Sequence, residues 1–221
     1  MTSAVVLKVG GSLFSLPDLG DRLRALLKEL GPAEVVMVPG GGSFADVVRD
    51  LDAVHRWPPE VSHQLAIHSM SLSAAFLSTL DPDWILAGSS LEIESCRSKG
   101  QVAVVDVAKS RWIAGLPASW DVTSDSIAAV IARVYGRLVL GKSADLPRRM
   151  VEEEDLSNED KSHSRREILI QLSRAGLVDR EFPAVAASVE QIGWVNLRGD
   201  CKVHWLPGSA TSSPQTARPT C

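Results

Sequence analysis

The sequence predicts an α/β fold in which a mostly parallel sheet is covered by helices on both faces. Three observations lead there. Short runs that are apolar on both faces recur along the chain, among them Ala4-Val5-Val6-Leu7, Val35-Val36-Met37-Val38 and Val102-Ala103-Val104-Val105. Such runs fit strands buried within a doubly covered sheet. They alternate with amphipathic helical stretches, and a strand–helix–strand order implies parallel strands joined by a right-handed crossover. Finally, the runs end in glycines or polar residues, at the strand ends where parallel sheets bind ligands.

Residues 4–9 read as the first strand. Pro17 and Asp18 open a helix whose Leu19, Leu23, Leu26, Leu27 and Leu30 form one apolar stripe, stopped by Gly31-Pro32. Residues 34–38 form the second strand. Phe44 to His55 is a helix ended by Trp57-Pro58-Pro59, and Glu60 to Leu80 is a longer one closed by Asp81-Pro82. Trp84 to Ala87 and Gln101 to Asp106 are further strands, the latter presenting the Asp106 carboxylate at its end. Thr123 or Ser124 caps the helix that runs through Ala132, with Asp125 in its first turn. Arg137 to Leu140 is a strand that leads into Gly141-Lys142-Ser143-Ala144-Asp145. Residues 147–166 are crowded with charge and read as a mobile surface segment. Ile168 to Ala175 is a helix with Gly176 as its C-cap. Phe182 to Gln191 is the last helix, followed by a strand at Ile192 to Leu197 and a short one at Lys202–Trp205. From residue 207 the chain is rich in Ser, Thr, Pro and Ala and reads as a disordered tail.

Composition excludes several function classes. The net charge of −4 provides no basic field for nucleic acid. Arg148-Arg149 and Arg165-Arg166 lie beside acidic residues and read as solvated helix faces. Three cysteines without close spacing suggest neither a disulfide framework nor a zinc site. No secretory leader or membrane span is expected, so a cytoplasmic protein is.

Two glycine clusters carry the functional reading: Lys8-Val9-Gly10-Gly11-Ser12 and Val38-Pro39-Gly40-Gly41-Gly42-Ser43. Glycine after a strand lets backbone N–H groups turn toward an anion. Lys8 at the end of the first strand could set its ammonium against phosphate oxygens held by that turn. It could also be a surface lysine beside a structural turn. Gly40-Gly41-Gly42 fits close approach of a ligand, with a flexible hinge as the alternative. Neither cluster is a Walker A loop or a dinucleotide fingerprint. A carboxylate at Asp121 or Asp125 could orient Lys8, meet Mg²⁺ through water or bind a substrate group, and either could instead cap the helix. Lys142 could contact nucleotide phosphates. His63 and His68 miss the spacing of a metal pair, although His63 could reach substrate, and no metal-ligating residues are assigned.

In order, Lys8-Val9-Gly10-Gly11-Ser12-Leu13, Val38-Pro39-Gly40-Gly41-Gly42-Ser43-Phe44-Ala45, Asp121 through Ala129 and Leu140-Gly141-Lys142-Ser143-Ala144-Asp145 resemble the amino acid kinase family. The resemblance implies a three-layer αβα sandwich in one domain over residues 1–206, with the acceptor side roughly 1–110 and the nucleotide side roughly 111–206. It implies an ATP-dependent kinase with Mg²⁺, a small-molecule acceptor and a homo-oligomer. Lys8, Gly10, Gly11 and Ser12 would hold the transferring phosphoryl group, and Gly40, Gly41 and Gly42 would cradle the acceptor with Asp121 and Thr123. Asp125 would organise the lysines, and Lys142 and Asp145 would lie on the nucleotide side. The compact length, Trp120–Ser126 and Gly176-Leu177-Val178-Asp179…Phe182-Pro183 look most like the small branch acting on an aminomethylfuran-methyl phosphate. The family's late glycine-rich segment with a second lysine is not evident after Asp145. Lys161, Arg165 and Arg166 are candidates for that cation, and a weak or inactive nucleotide- or anion-binding protein is the alternative.

Overall fold

The computed structural model describes residues 4–31, 34–147 and 158–207, and for 158–164 the backbone alone. Strand β1 (Ala4–Val9) is wholly buried and lies at the middle of the sheet. It pairs in parallel with β2 (Val35–Pro39) on one side and with β5 (Gly136–Lys142) on the other. Beyond β2 lie β4 (Val102–Val105) and the edge strand β3 (Trp84–Ala87). Beyond β5 lie β6 (Gln191–Asn196) and β7 (Val203–Trp205). The order is β3-β4-β2-β1-β5-β6-β7, with β7 alone antiparallel. The chain therefore builds one side of β1 first and then crosses to the other. That reversal makes a crevice at the carboxyl ends of β1, β2 and β5.

Side chains alternate along each strand, so β1 to β6 feed two cores. Val5, Leu7 and Val9 pack with Val35, Met37 and the leucine stripe of α1 (Leu19–Leu30). Ala4 and Val6 pack with Val36, Val38 and helices on the opposite face. These are α4 (Ser90–Ser98), α5 (Ser124–Tyr135), α6 (Asn158–Arg174) and α7 (Phe182–Val185). Helix α3 (Pro59–Ser78) contributes Ile67 and Met70 to one core and Ala74 and Leu77 to the other. Helix α2 (Gly42–His55) packs along α3 and is mostly solvated. The αβα sandwich expected from the sequence is present.

Three elements differ from expectation. Helix α4 fills the link between β3 and β4, capped by Ser89, whose Oγ accepts from Glu92 N at 3.3 Å. Residues 158–166, expected to be mobile, begin α6, which Ile168, Leu169 and Leu172 anchor in the core. Residues 148–157 and the tail from 208 lie outside the described residues. The helix expected over 182–191 stops at Val185 and gives way to a tight turn, because Gln191 is taken up in register with Arg137.

Candidate active site

The two glycine turns lie against each other at the carboxyl ends of β1 and β2. Gly40 N donates to Val9 O at 2.8 Å, and Gly10 N donates to Gly141 O at 2.9 Å. A Cβ on Gly11 would stand 2.2 Å from Gly42 N, which no packing tolerates. Gly42 has φ +55, and a Cβ there would also meet the Phe14 ring at 2.8 Å. Close approach of the two turns thus accounts for these glycines before any ligand is considered. Helix α2 starts at Gly42 and α5 starts at Ser124, whose Oγ lies beside Gly40. Two helix N-termini therefore converge on the turns and favour negative charge between them.

Behind the first turn is a buried charge cluster. Lys8 Nζ stands 3.0 Å from Asp125 Oδ1, and Lys142 Nζ stands 2.8 Å from Asp125 Oδ2. The Lys8 contact is a close, buried ion pair. Lys142 also donates to Leu177 O at 2.6 Å and lies 5.5 Å from the centre of the Trp194 ring. Burial alone would raise the Asp125 pKa, but Lys8 and then Lys142 outweigh it and hold the carboxyl below its ordinary value. Burial, and then the charge of Lys8, lower the Lys142 pKa to about 8 despite the Asp125 partner. One carboxylate serves two ammoniums, so the cluster keeps positive charge free for an anion.

In front of the turns lies a cavity of about 340 Å³. Gly11, Ser12, Gly40, Gly41, Gly42, Thr123 and Ser124 line its inner end. Arg49, His63, Met70 and Trp120 line its outer part. The Arg49 guanidinium lies 4.8 Å from the Trp120 ring centre and pairs with Asp46 at 2.7 Å. Trp120 Nε1 donates to Asp52 Oδ2 at 3.0 Å, which fixes the indole as a wall. Burial pushes the His63 pKa below its ordinary value.

The structure thus brings together Lys8, Gly10, Gly11, Ser12, Gly40, Gly41, Gly42, Thr123, Asp125 and Lys142. Ser12 Oγ donates to Ser143 Oγ at 3.0 Å and ties the first turn to the loop after β5. Asp145 accepts from Asn196 Nδ2 at 2.8 Å in that loop. Asp121 points elsewhere: its carboxylate faces Arg180 at 3.4 Å and is absent from the cavity wall. Asp106 accepts from Ser71 Oγ at 2.6 Å and pairs with Lys109 at 3.1 Å, also away from the cavity. Arg165 donates to the carbonyls of Ala186, Val189 and Glu190 and stays remote. The Lys161 side chain lies outside the described residues.

Arg49 and Arg198 were not candidates in the sequence, and Trp120 and Asp179 entered there only within segments that carry the resemblance. Arg49 and Trp120 meet only in three dimensions. Arg198, after β6, donates from Nη2 to Ser12 O and Ser15 Oγ, both at 2.8 Å. Asp179 receives donors from the start of α5. Among the described residues no group of three His, Cys, Asp or Glu could hold a metal ion.

Comparison with known proteins places the family and the fold. The chain is 30% identical over 132 residues to a [5-(aminomethyl)furan-3-yl]methyl phosphate kinase from Methanocaldococcus jannaschii. That match covers 58% of this chain and 60% of the relative's length. The uridylate kinase of Archaeoglobus fulgidus superposes with a TM-score of 0.61 at 17% identity, covering 86% of this chain and 88% of that one. An aspartate kinase from Synechocystis gives 0.58 at 16% identity, covering 93% of this chain and 40% of the other. These solved structures share the fold. Residues 3–140 match the amino acid kinase family, and the chain belongs to that family.

Proposed function

We propose that the protein is an ATP-dependent kinase that transfers the γ-phosphoryl group to a small acceptor carrying a phosphate monoester. The supporting observation is Asp125 set between the buried ammoniums of Lys8 and Lys142, directly behind the paired glycine turns. An aminomethylfuran-methyl phosphate is the specific acceptor proposed, on the likeness to the methanogen enzyme. In this reading an oxygen of the acceptor phosphate attacks the γ-phosphorus, the bond to the β–γ bridging oxygen breaks, and ADP leaves with that oxygen.

The residues present suit a polyphosphate. Lys8, Lys142 and the N–H groups of the Gly10–Ser12 turn would meet the phosphoryl oxygens, and Asp125 keeps both ammoniums aimed there. Most of the rate acceleration would come from positioning and preset positive charge. ATP with Mg²⁺ would supply the phosphoryl group and part of the charge neutralisation. No metal cluster of the protein's own is needed, because Mg²⁺ commonly enters such sites on the phosphates. Arg49, with Trp120 beside it, would orient the acceptor in the cavity. In this reading Lys142, rather than Lys161, Arg165 or Arg166, supplies the second cation, and a weak or inactive nucleotide- or anion-binding protein stays the alternative. Self-association is proposed as well. The outer face of α3 carries Val61, Leu65 and Leu72 exposed and no Asp, Glu, Lys or Arg from 61 to 78, so a second copy meets no charge repulsion there.

The test is ADP release against a panel of phosphorylated and carboxylated acceptors. Turnover should require a phosphate monoester, and Lys8→Ala should lower it about 10²–10³-fold, as loss of one electrostatic donor does elsewhere. ATP binding without turnover on any acceptor would overturn the proposal.

A further inference from the structure

Asp179 lies in the loop after α6, beyond the stretch that matches the family. Its side chain is buried and gathers an unusual number of donors. Oδ2 accepts from Thr123 N at 2.9 Å, Thr123 Oγ1 at 2.8 Å and Ser126 N at 3.0 Å. Oδ1 accepts from Ser126 Oγ and from Phe182 N at 2.9 Å. An ordinary N-cap satisfies one or two donors from within its own helix. Here the helix has its own cap, Thr123, whose Oγ1 accepts from Asp125 N at 3.4 Å. The same hydroxyl donates to Asp179. A continuous path therefore runs from the Asp179 carboxylate through Thr123 to the backbone of Asp125. Two residues before Asp179, the carbonyl of Leu177 accepts from Lys142 Nζ. One short loop thus holds both the start of α5 and the Lys142 ammonium.

We propose that Asp179 is a positioning residue of the transfer centre: it locks the first turn of α5 and so fixes where Asp125 meets Lys142. The inference rests on the reading of Lys8, Asp125 and Lys142 as that centre. Its physical basis is leverage. Asp125 is the second residue of α5, within the turn that frays first when caps are lost. A small rotation there would move the carboxylate off one ammonium, and misplacement by about 1 Å can cost about a hundredfold in rate. The Asp179 charge also opposes the loss of a proton from Lys142.

The experiment compares wild type, Asp179→Asn and Ser126→Ala in the full chain, below the melting temperature of each. Asparagine can still accept from Thr123 and Ser126 through Oδ1, but it presents an amide to Phe182 N and removes the charge. Expected for Asp179→Asn is a fall in kcat of about 10–100-fold with acceptor KM within about threefold, the pattern of an interaction realised in the transition state. Ser126→Ala should give a smaller fall of the same kind. A second readout is the ¹³C resonance of lysine Cε, with Lys142 assigned by Lys142→Arg. The groups facing that ammonium are Asp125 on α5, Lys8 on β1, the Trp194 ring on β6, and Leu177 O and Asp179 in the loop. Asp179→Asn should make Lys142 titrate at lower pH than in wild type. A folded Asp179→Asn with unchanged kcat and unchanged Lys142 titration, differing only in melting temperature, would overturn the proposal. Should that variant not fold, unchanged kcat and titration in Ser126→Ala would overturn it. Should wild type show no turnover, the kinase reading fails by itself, and the Lys142 titration still decides the role of Asp179.

Discussion

Asp125 bears a negative charge while almost wholly buried, and two ammoniums make that tolerable. A buried ion pair need not stabilise a fold, but removing one partner strands the rest. Asp125→Ala should therefore cost about 3–5 kcal/mol by leaving two buried ammoniums unpaired, read by denaturant unfolding. The Lys142 pKa of about 8 has a consequence for activity. If the ammonium must be charged, kcat/KM, which reports the free enzyme, should fall as pH rises through about 8. Lys142→Arg keeps its charge and should lack that limb; a limb retained in this variant would assign the titration to another group. The stability effect has the opposite sense. Between about 8 and 10.5 the unfolded chain holds a proton that the folded one has lost. Stability should thus rise with pH across that window, and the Lys142 contribution opposes folding below it.

At the scale of elements, the paired turns are the feature most exposed to substitution. Gly11→Ala would drive a Cβ into the Gly42 backbone, which cannot yield without moving the start of α2. Overpacking of this kind costs about 1–3 kcal/mol. Calorimetry should show a lower Tm together with a loss of turnover; an unchanged Tm would mean the turns separate easily. The strands, α1, α3 and α5 were legible in the sequence because burial on both faces and leucine periodicity are local signals. Helix α4 was not, since Ser90–Ser98 buries only Ile93 and Cys96 and has no marked stripe. The expected helix at 182–191 failed for a non-local reason: pairing of β6 with β5 claims Gln191. Lys8, Asp125 and Lys142 could be named from strand ends and spacing. The family resemblance already implied that Asp125 organises the lysines, whereas Asp179 reaching back 53 residues to Ser126 could not be read from the sequence. Such contacts are created by the fold.

For the molecule as a whole, strands from the first and last parts of the described chain meet in one sheet, and β1 at its centre leads into the first glycine turn. Among the described residues no helix is long and apolar enough to cross a membrane. Self-association through α3 predicts a light-scattering mass above the 23.8 kDa of one chain, reduced to that value by Leu65→Asp with Leu72→Asp. A monomeric wild type would remove that part of the account. The central claim is that Lys8 and Lys142 act as one unit through Asp125. Steady-state ADP release by Lys8→Ala, Lys142→Ala and the double variant, with a phosphate monoester acceptor, tests it most directly. Each single change should lower kcat about 10²–10³-fold, and the double should fall little further than the worse single, as groups acting together do. Either lysine replaced with kcat within about threefold of wild type, or two losses that multiply in full, would contradict it.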